Sequence, residues 1–275
     1  MKKLIAIILL LAVAAAAVSC AAEGKTVEEL RISASLGELY GVLTVPETEA
    51  PVPLIILSHG FGGNHTGNQD YSDHFVANGF AAFNLDFCGG GWNSKSAGTM
   101  LEMSVLTEAE DLNAVVDHFL GDSRFSCIML WGASQGGFVS GYVAAQRPGD
   151  IRAAVLEFPA IVLQDDAREK LLPDGTFPET SNVLGVKISR KYNEDAISFD
   201  YYEHIAACTC PVLILHGDRD PIVPLRYSER AKEALPDAEL IVCPGQGHGF
   251  MGTARNQAKD AETAFFKAHT EERQE

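Results

Sequence analysis

Positive charge is what this 275-residue chain has least of: 21 Lys and Arg stand against 37 Asp and Glu, a formal net charge of −16. Such a surface repels polyphosphate, so no nucleic acid is expected as a partner and highly anionic substrates are disfavoured. Cysteine is sparse as well, at six. With Cys20 set aside, Cys88, Cys127, Cys208, Cys210 and Cys243 are an odd number and cannot all pair. Cys127 and Cys243 fall in or beside apolar strand patterns and read as buried thiols. Cys208-Thr209-Cys210 is too tightly spaced to favour a disulfide and has no matching zinc half-site, so neither a metal nor a cofactor is expected. Internal repeats and low-complexity linkers are missing too. What is present is an ordinary globular balance, 47% hydrophobic and 21% charged, with enough length for one large core.

Long apolar runs are absent except for Leu4 to Val18, preceded by Lys2 and Lys3. That run is short and Ala-rich for a membrane span, and it has the build of a signal peptide over residues 1–19. Ala17-Val18-Ser19-Cys20 resembles a bacterial lipobox, which makes Cys20 the expected lipidation site and the only expected link to a membrane. Ala17 stands where Leu is usual, so cleavage near Ala21 or Ala22, giving a secreted or periplasmic chain, is the alternative. Residues 20–29 read as a polar tether ahead of a domain spanning 30–275.

Within that domain, Leu30 to Ser35 and Glu38 to Val45 alternate apolar and polar residues around Leu36-Gly37, the pattern of a hairpin at a sheet edge. Four later runs are continuously apolar, as buried parallel strands are: Leu54 to Ser58, Ala81 to Asp86, Ile128 to Trp131 and Val212 to His216. Thr107-Glu108-Ala109-Glu110 reads as a capping box opening a helix whose solvated face carries Glu108, Asp111 and Asp117. Strand alternating with helix predicts an α/β fold with a mostly parallel, doubly wound sheet. The rhythm fails over residues 159–207, read as a small cap insertion in which Tyr192, Phe199, Tyr201 and Tyr202 are candidates to line a substrate pocket.

Gly132-Ala133-Ser134-Gln135-Gly136-Gly137 has the G-x-S-x-G spacing of a strand-to-helix elbow that exposes a serine hydroxyl. Three residue types with complementary chemistry lie at the carboxyl ends of separate strands: Ser134 as nucleophile, Asp220 as acid and His248 as base. A serine hydroxyl is a poor nucleophile unless a base takes its proton, and a carboxylate on the other ring nitrogen fixes the histidine tautomer. Backbone N–H groups of Phe61, in the loop His59 to Gly63, and of Gln135 are placed to stabilise an oxyanion. Asp218 competes with Asp220 for the acid role. His65, His74, His118 and His204 have no evident partners and read as surface or structural.

These motifs, with His216-Gly217-Asp218-Arg219-Asp220-Pro221-Ile222-Val223-Pro224 and Gly247-His248-Gly249-Phe250, closely resemble those of the α/β-hydrolase superfamily. Within it the glycine loop, the Gln-Gly-Gly after the serine and the insertion look most like bacterial cinnamoyl or feruloyl esterases and related carboxylesterases. The resemblance implies the α/β-hydrolase fold. It places the acid at Asp220 and leaves Asp218 to cap its turn; His59, beside a loop glycine, reads as a side chain that hydrogen-bonds the oxyanion loop in place. It also implies hydrolysis of a small-molecule carboxylic ester through an acyl-enzyme. Ala133 and Cys88-Gly89-Gly90-Gly91 depart from the commoner His and Gly-His-Gly forms, which leaves the acyl preference open. A peptidase or amidase with the same machinery is the alternative, followed by a non-catalytic binding protein on the same scaffold.

Overall fold

A computed structural model describes residues 19–22 and 24–271. Residues 1–18 of the expected signal peptide lie outside the described residues. The first strands are β1 (Ser19–Ala22), β2 (Lys25–Ala34), β3 (Gly37–Pro46) and β4 (Val52–Ser58). β2 and β3 form the expected antiparallel hairpin, turning at Ser35-Leu36, and β1 adds antiparallel outside β2. The tether is therefore shorter than expected. Lys25–Glu29 lie within β2 because each residue pairs with one of β3, from Val42 to Pro46, an alignment no local composition reveals.

The chain continues through α1 (Gln69–Ala77), β5 (Ala81–Asp86), α2 (Val105–Phe119), β6 (Phe125–Ala133), α3 (Gln135–Gln146) and β7 (Ile151–Glu157). After the insertion come β10 (Val212–Gly217), α7 (Arg226–Ala234), β11 (Ala238–Cys243) and α8 (Gly252–Ala268). The nine-stranded sheet has the order β1-β2-β3-β5-β4-β6-β7-β10-β11. From β5 to β11 the pairings are parallel, so their carboxyl ends share one edge. β4, β5 and β10 are buried along almost their whole length, which is why they read as continuous apolar runs. One face packs Leu54, Phe83, Leu112, Leu130 and Val143 with the insertion, and the other packs Ile55, Phe75, Trp131 and Phe266 under α1 and α8.

α2 starts earlier than the sequence suggests. Its capping box is Ser104 with Thr107, not Thr107 with Glu110. The expected solvated face is also wrong for two of three residues: Glu108 and Asp111 are 1% and 0% exposed, and only Asp117 faces water. Asp111 accepts from the Ser35 N–H and hydroxyl and from the Cys88 N–H, joining the hairpin turn to the loop after β5.

The insertion holds α4 (Leu163–Arg168), the hairpin β8 (Thr180–Val183) and β9 (Val186–Ser189), α5 (Arg190–Ala196) and α6 (Tyr201–Ile205). β8 and β9 meet across Leu184-Gly185, both at positive φ, the two-residue turn that matches strand twist. Cys88, Cys208 and Cys210 are buried free thiols, with the last two sulfurs 3.6 Å apart. Cys127 and Cys243 are only half-buried, because β6 begins at the rim and β11 is an edge strand.

A second buried acidic pair lies behind the elbow. Glu157, at the end of β7, accepts from the Tyr71 hydroxyl at 2.6 Å, and Glu262 of α8 accepts from the Trp131 indole N–H at 3.1 Å. Burial pushes Glu157 up to about 7; burial and the Glu157 charge push Glu262 well above the carboxylate range. As pH rises from about 4.5 to about 7, the unfolded chain releases these protons while the folded chain keeps them, so the contribution of this pair to stability falls. Each retained proton contributes a slope of about 1.4 kcal/mol per pH unit. Glu262→Gln removes one such group and is expected to make the fall across that window shallower. Urea unfolding of both proteins at pH 5, 6 and 7 checks this, and parallel profiles would refute it.

Candidate active site

Ser134 sits between β6 and α3 with φ 54° and ψ −119°, a strained conformation for a residue with a Cβ. Backbone bonds hold it there: its N–H donates to Glu157 O at 2.9 Å, and its own carbonyl accepts from Ala160 at 2.9 Å. The flanking glycines have a steric cause. A Cβ at Gly136 would lie 2.3 Å from Ser58 O, and one at Gly132 would lie 2.3 Å from Gly136 O.

The three residues expected to act together are brought together. His248 Nε2 lies 2.9 Å from Ser134 Oγ, and His248 Nδ1 lies 2.8 Å from Asp220 Oδ2. The loops after β10 and β11 supply the acid and the imidazole, and the parallel strand order delivers both to the edge where β6 ends. Phe158 packs edge-on against the His248 ring at 4.8 Å. Asp220 Oδ1 accepts from the Ile222 and Val223 N–H groups at 2.8 and 2.9 Å. Burial opposes ionisation of Asp220, but hydrogen bonds from His216, His248 and the Val223 N–H outweigh it and hold the carboxyl well below the ordinary range. Asp218 points elsewhere and accepts from the Gly245 N–H at 2.5 Å.

The loop carrying Phe61 is fixed at both ends. His59 donates from Nδ1 to Gly60 O at 2.8 Å and accepts the Phe87 N–H at Nε2, 3.1 Å away. Burial lowers its basicity, in keeping with this neutral tautomer. Gly62 donates to Gly90 O at 3.0 Å, and a Cβ at Gly60 would come 3.2 Å from Ser134 Cβ, so the loop lies directly over the serine. The Phe61 N–H takes no part in these loop hydrogen bonds, and Gln135, first residue of α3, has no intrahelical acceptor. Among the described residues neither N–H has a hydrogen-bond acceptor outside the regular elements.

A pocket of about 310 Å³ opens at Ser134, lined by Phe61, Ala160, Leu163, Val183, Tyr192 and Ile222 among others. Of the four aromatic candidates, only Tyr192 lines it. Tyr201 stacks on Phe138 and donates to Phe138 O at 3.0 Å; Tyr202 donates to Tyr227 O at 3.3 Å; Phe199 packs on Phe138 and Tyr142. Those three fasten the insertion to the core. A Cβ at Gly141 would lie 2.4 Å from the Tyr201 hydroxyl, so that glycine makes room for the fastening. Sequence reasoning missed Asn182, Val183 and Leu184 of the β8–β9 turn, together with Asp166, Glu169 and Lys170 at the pocket. The valines flanking Leu184-Gly185 were the available signal for that hairpin. Cys20 lies in β1, opposite Val27 and remote from this site.

Geometry of this kind can transfer a proton from the serine hydroxyl to His248, with Asp220 stabilising the resulting imidazolium. Known proteins share the architecture. The ferulic-acid-bound esterase Est1E of Butyrivibrio proteoclasticus superposes with a TM-score of 0.79 at 25% identity, over 87% of this chain and 98% of that one. The monoacylglycerol lipase of Paleococcus ferrophilus superposes with a TM-score of 0.66 at 21% identity, over 84% and 99%, a likeness of fold alone. A monoacylglycerol lipase of Mycolicibacterium smegmatis is 26% identical over 251 residues, 76% of this chain and 85% of that protein. The fold is the α/β-hydrolase fold. A description of the prolyl oligopeptidase family matches residues 69–273, and the chain belongs to that family.

Proposed function

We propose that the protein hydrolyses small-molecule carboxylic esters through an acyl-enzyme on Ser134, with His248 as base, Asp220 as its carboxylate partner, and the Phe61 and Gln135 N–H groups receiving the oxyanion. The continuous hydrogen-bond chain Asp220–His248–Ser134, ending at the mouth of an apolar pocket, carries this reading. His248 accepts the serine proton during attack and returns it to the leaving alcohol; a water activated by the same imidazole then releases the acid. The pocket's size and its apolar residues Phe61, Leu163, Val183 and Ile222 suit a short acyl or aryl-acyl group, and the likeness to an esterase holding ferulic acid supports an aryl-acyl substrate. Turnover of esters graded from acetyl to feruloyl, beside matched anilides and peptides, tests it. Rates on amides equal to or above those on esters would instead favour a peptidase, the reading suggested by the family's name.

We also propose export, with lipid on Cys20 as the anchor, supported by Lys2, Lys3, the apolar run Leu4 to Val18 and the small residues before the cysteine. Cys20→Ala should move the protein from membrane to soluble fractions; an unchanged distribution would count against the anchor.

A further inference from the structure

Both candidate oxyanion donors rest on one buried acid. Glu108 Oε2 accepts from Gln135 Nε2 at 2.8 Å, and Gln135 Oε1 accepts from the Tyr192 hydroxyl at 2.6 Å. All three side chains are buried. On its other side Glu108 Oε1 packs against Gly90, where a Cβ would lie 2.9 Å away. Gly90 is the residue whose carbonyl accepts from Gly62, next to Phe61. The Tyr192 ring meets the Phe61 ring edge-on at 6.0 Å. A carboxyl from α2 and a phenol from the insertion thus bracket the two segments that meet over Ser134.

We propose that Glu108 is a positioning residue of the oxyanion hole: through the Gln135 side chain and Gly90 it sets the Gln135 and Phe61 N–H groups relative to each other, while Tyr192 locks Gln135 from the insertion. The proposal rests on the ester-hydrolase reading above. Neither Gln135 amide atom is free to swing, because one donates to Glu108 and the other accepts from Tyr192, so the first turn of α3 keeps its direction. Oxyanion stabilisation depends on donors already aimed before charge develops, and small misplacements there are costly. Burial raises the Glu108 carboxyl well above its ordinary range, which disfavours a negative charge beneath the hole. A glutamine at 108 retains an acceptor for Gln135 Nε2, whereas alanine leaves that amide unpaired.

Steady-state kinetics on an activated ester, with thermal unfolding measured beside it, test the assignment. Glu108→Ala is expected to lower kcat about 10- to 100-fold with KM within about twofold. Glu108→Gln should recover most of that loss, and Tyr192→Phe should lower kcat several-fold with KM held. A Glu108→Gln variant as slow as Glu108→Ala, or a Glu108→Ala effect confined to KM, overturns the proposal. Should Glu108→Ala fail to fold, Tyr192→Phe decides: a lowered kcat at constant KM supports the assignment and a wild-type kcat overturns it. If the wild type turns over no ester, the ester reading fails, and the rate of Ser134 phosphonylation by a fluorophosphonate, which uses the same hole, becomes the readout for the same variants. A slower Glu108→Ala reaction restored by Glu108→Gln then supports the assignment, and equal rates overturn it.

Discussion

Replacing Ser134 by alanine is expected to lower kcat on an activated ester about 10⁶-fold, the scale seen when the nucleophile of a serine hydrolase is removed, while the unfolding transition stays in place. The fold has little reason to notice. The bonds that hold the elbow's backbone at residue 134 run to Glu157, Phe138 and Ala160, and alanine offers the same groups. The flanking glycines, not the hydroxyl, make the elbow possible. What the substitution removes is the oxygen 2.9 Å from His248 Nε2, and with it the one atom among the described residues placed both to lose a proton to that imidazole and to attack a carbonyl under the Phe61 loop. Turnover measured beside circular dichroism decides the matter. A folded Ser134→Ala variant that still turns over the ester would falsify the assignment of the nucleophile.

Asp220→Asn should be the next most damaging change, about 10⁴-fold in kcat, for a reason visible in three of the acid's neighbours. Oδ1 accepts two backbone N–H groups, from Ile222 and Val223, so an asparagine must place its carbonyl oxygen there. Its NH₂ group then occupies the position of Oδ2 and faces His248 Nδ1. An imidazole facing a donor at Nδ1 must accept there, and carries its proton on Nε2. That tautomer can donate to Ser134 but cannot take its proton. The loss therefore arises from a reversed hydrogen bond, with the geometry otherwise kept. Kinetics on the same ester, and the rate of fluorophosphonate labelling, should both fall; a loss under tenfold would show that Asp220 does not set the tautomer.

How far the residues speak for themselves varies along the chain in a physically ordered way. β4, β5, β6 and β10 were legible because a strand buried on both faces leaves an unbroken apolar run. The convergence of Ser134, Asp220 and His248 was legible because parallel strands bring their carboxyl ends to one edge. Glu108 and Asp111 were misread as solvated because their partners lie far along the chain: Gln135 is 27 residues from Glu108, and Ser35 is 76 residues from Asp111. A charge on a helix looks the same in sequence whether water or a distant loop satisfies it. Tyr201 and Tyr202 were misassigned for the related reason that an aromatic residue in an insertion can face the pocket or the core, and only packing against Phe138 and Tyr227 settles which. Ser104 was overlooked as a helix cap because its reciprocal partner is a threonine, Thr107, and not the Glu or Gln of the usual signature.

The pairing of β1 bears on where the proposed anchor would hold the molecule. Cys20 stands in one lateral row with Val27, Thr44, Ala82, Ile55 and Met129. Five strand spacings therefore separate it from Met129, about 24 Å, and Ser134 lies five residues further up β6, roughly 17 Å towards the sheet's other end. On the proposed anchor, a lipid at Cys20 would join the molecule at the outer flank of the sheet, several strands away from the strand that ends at Ser134.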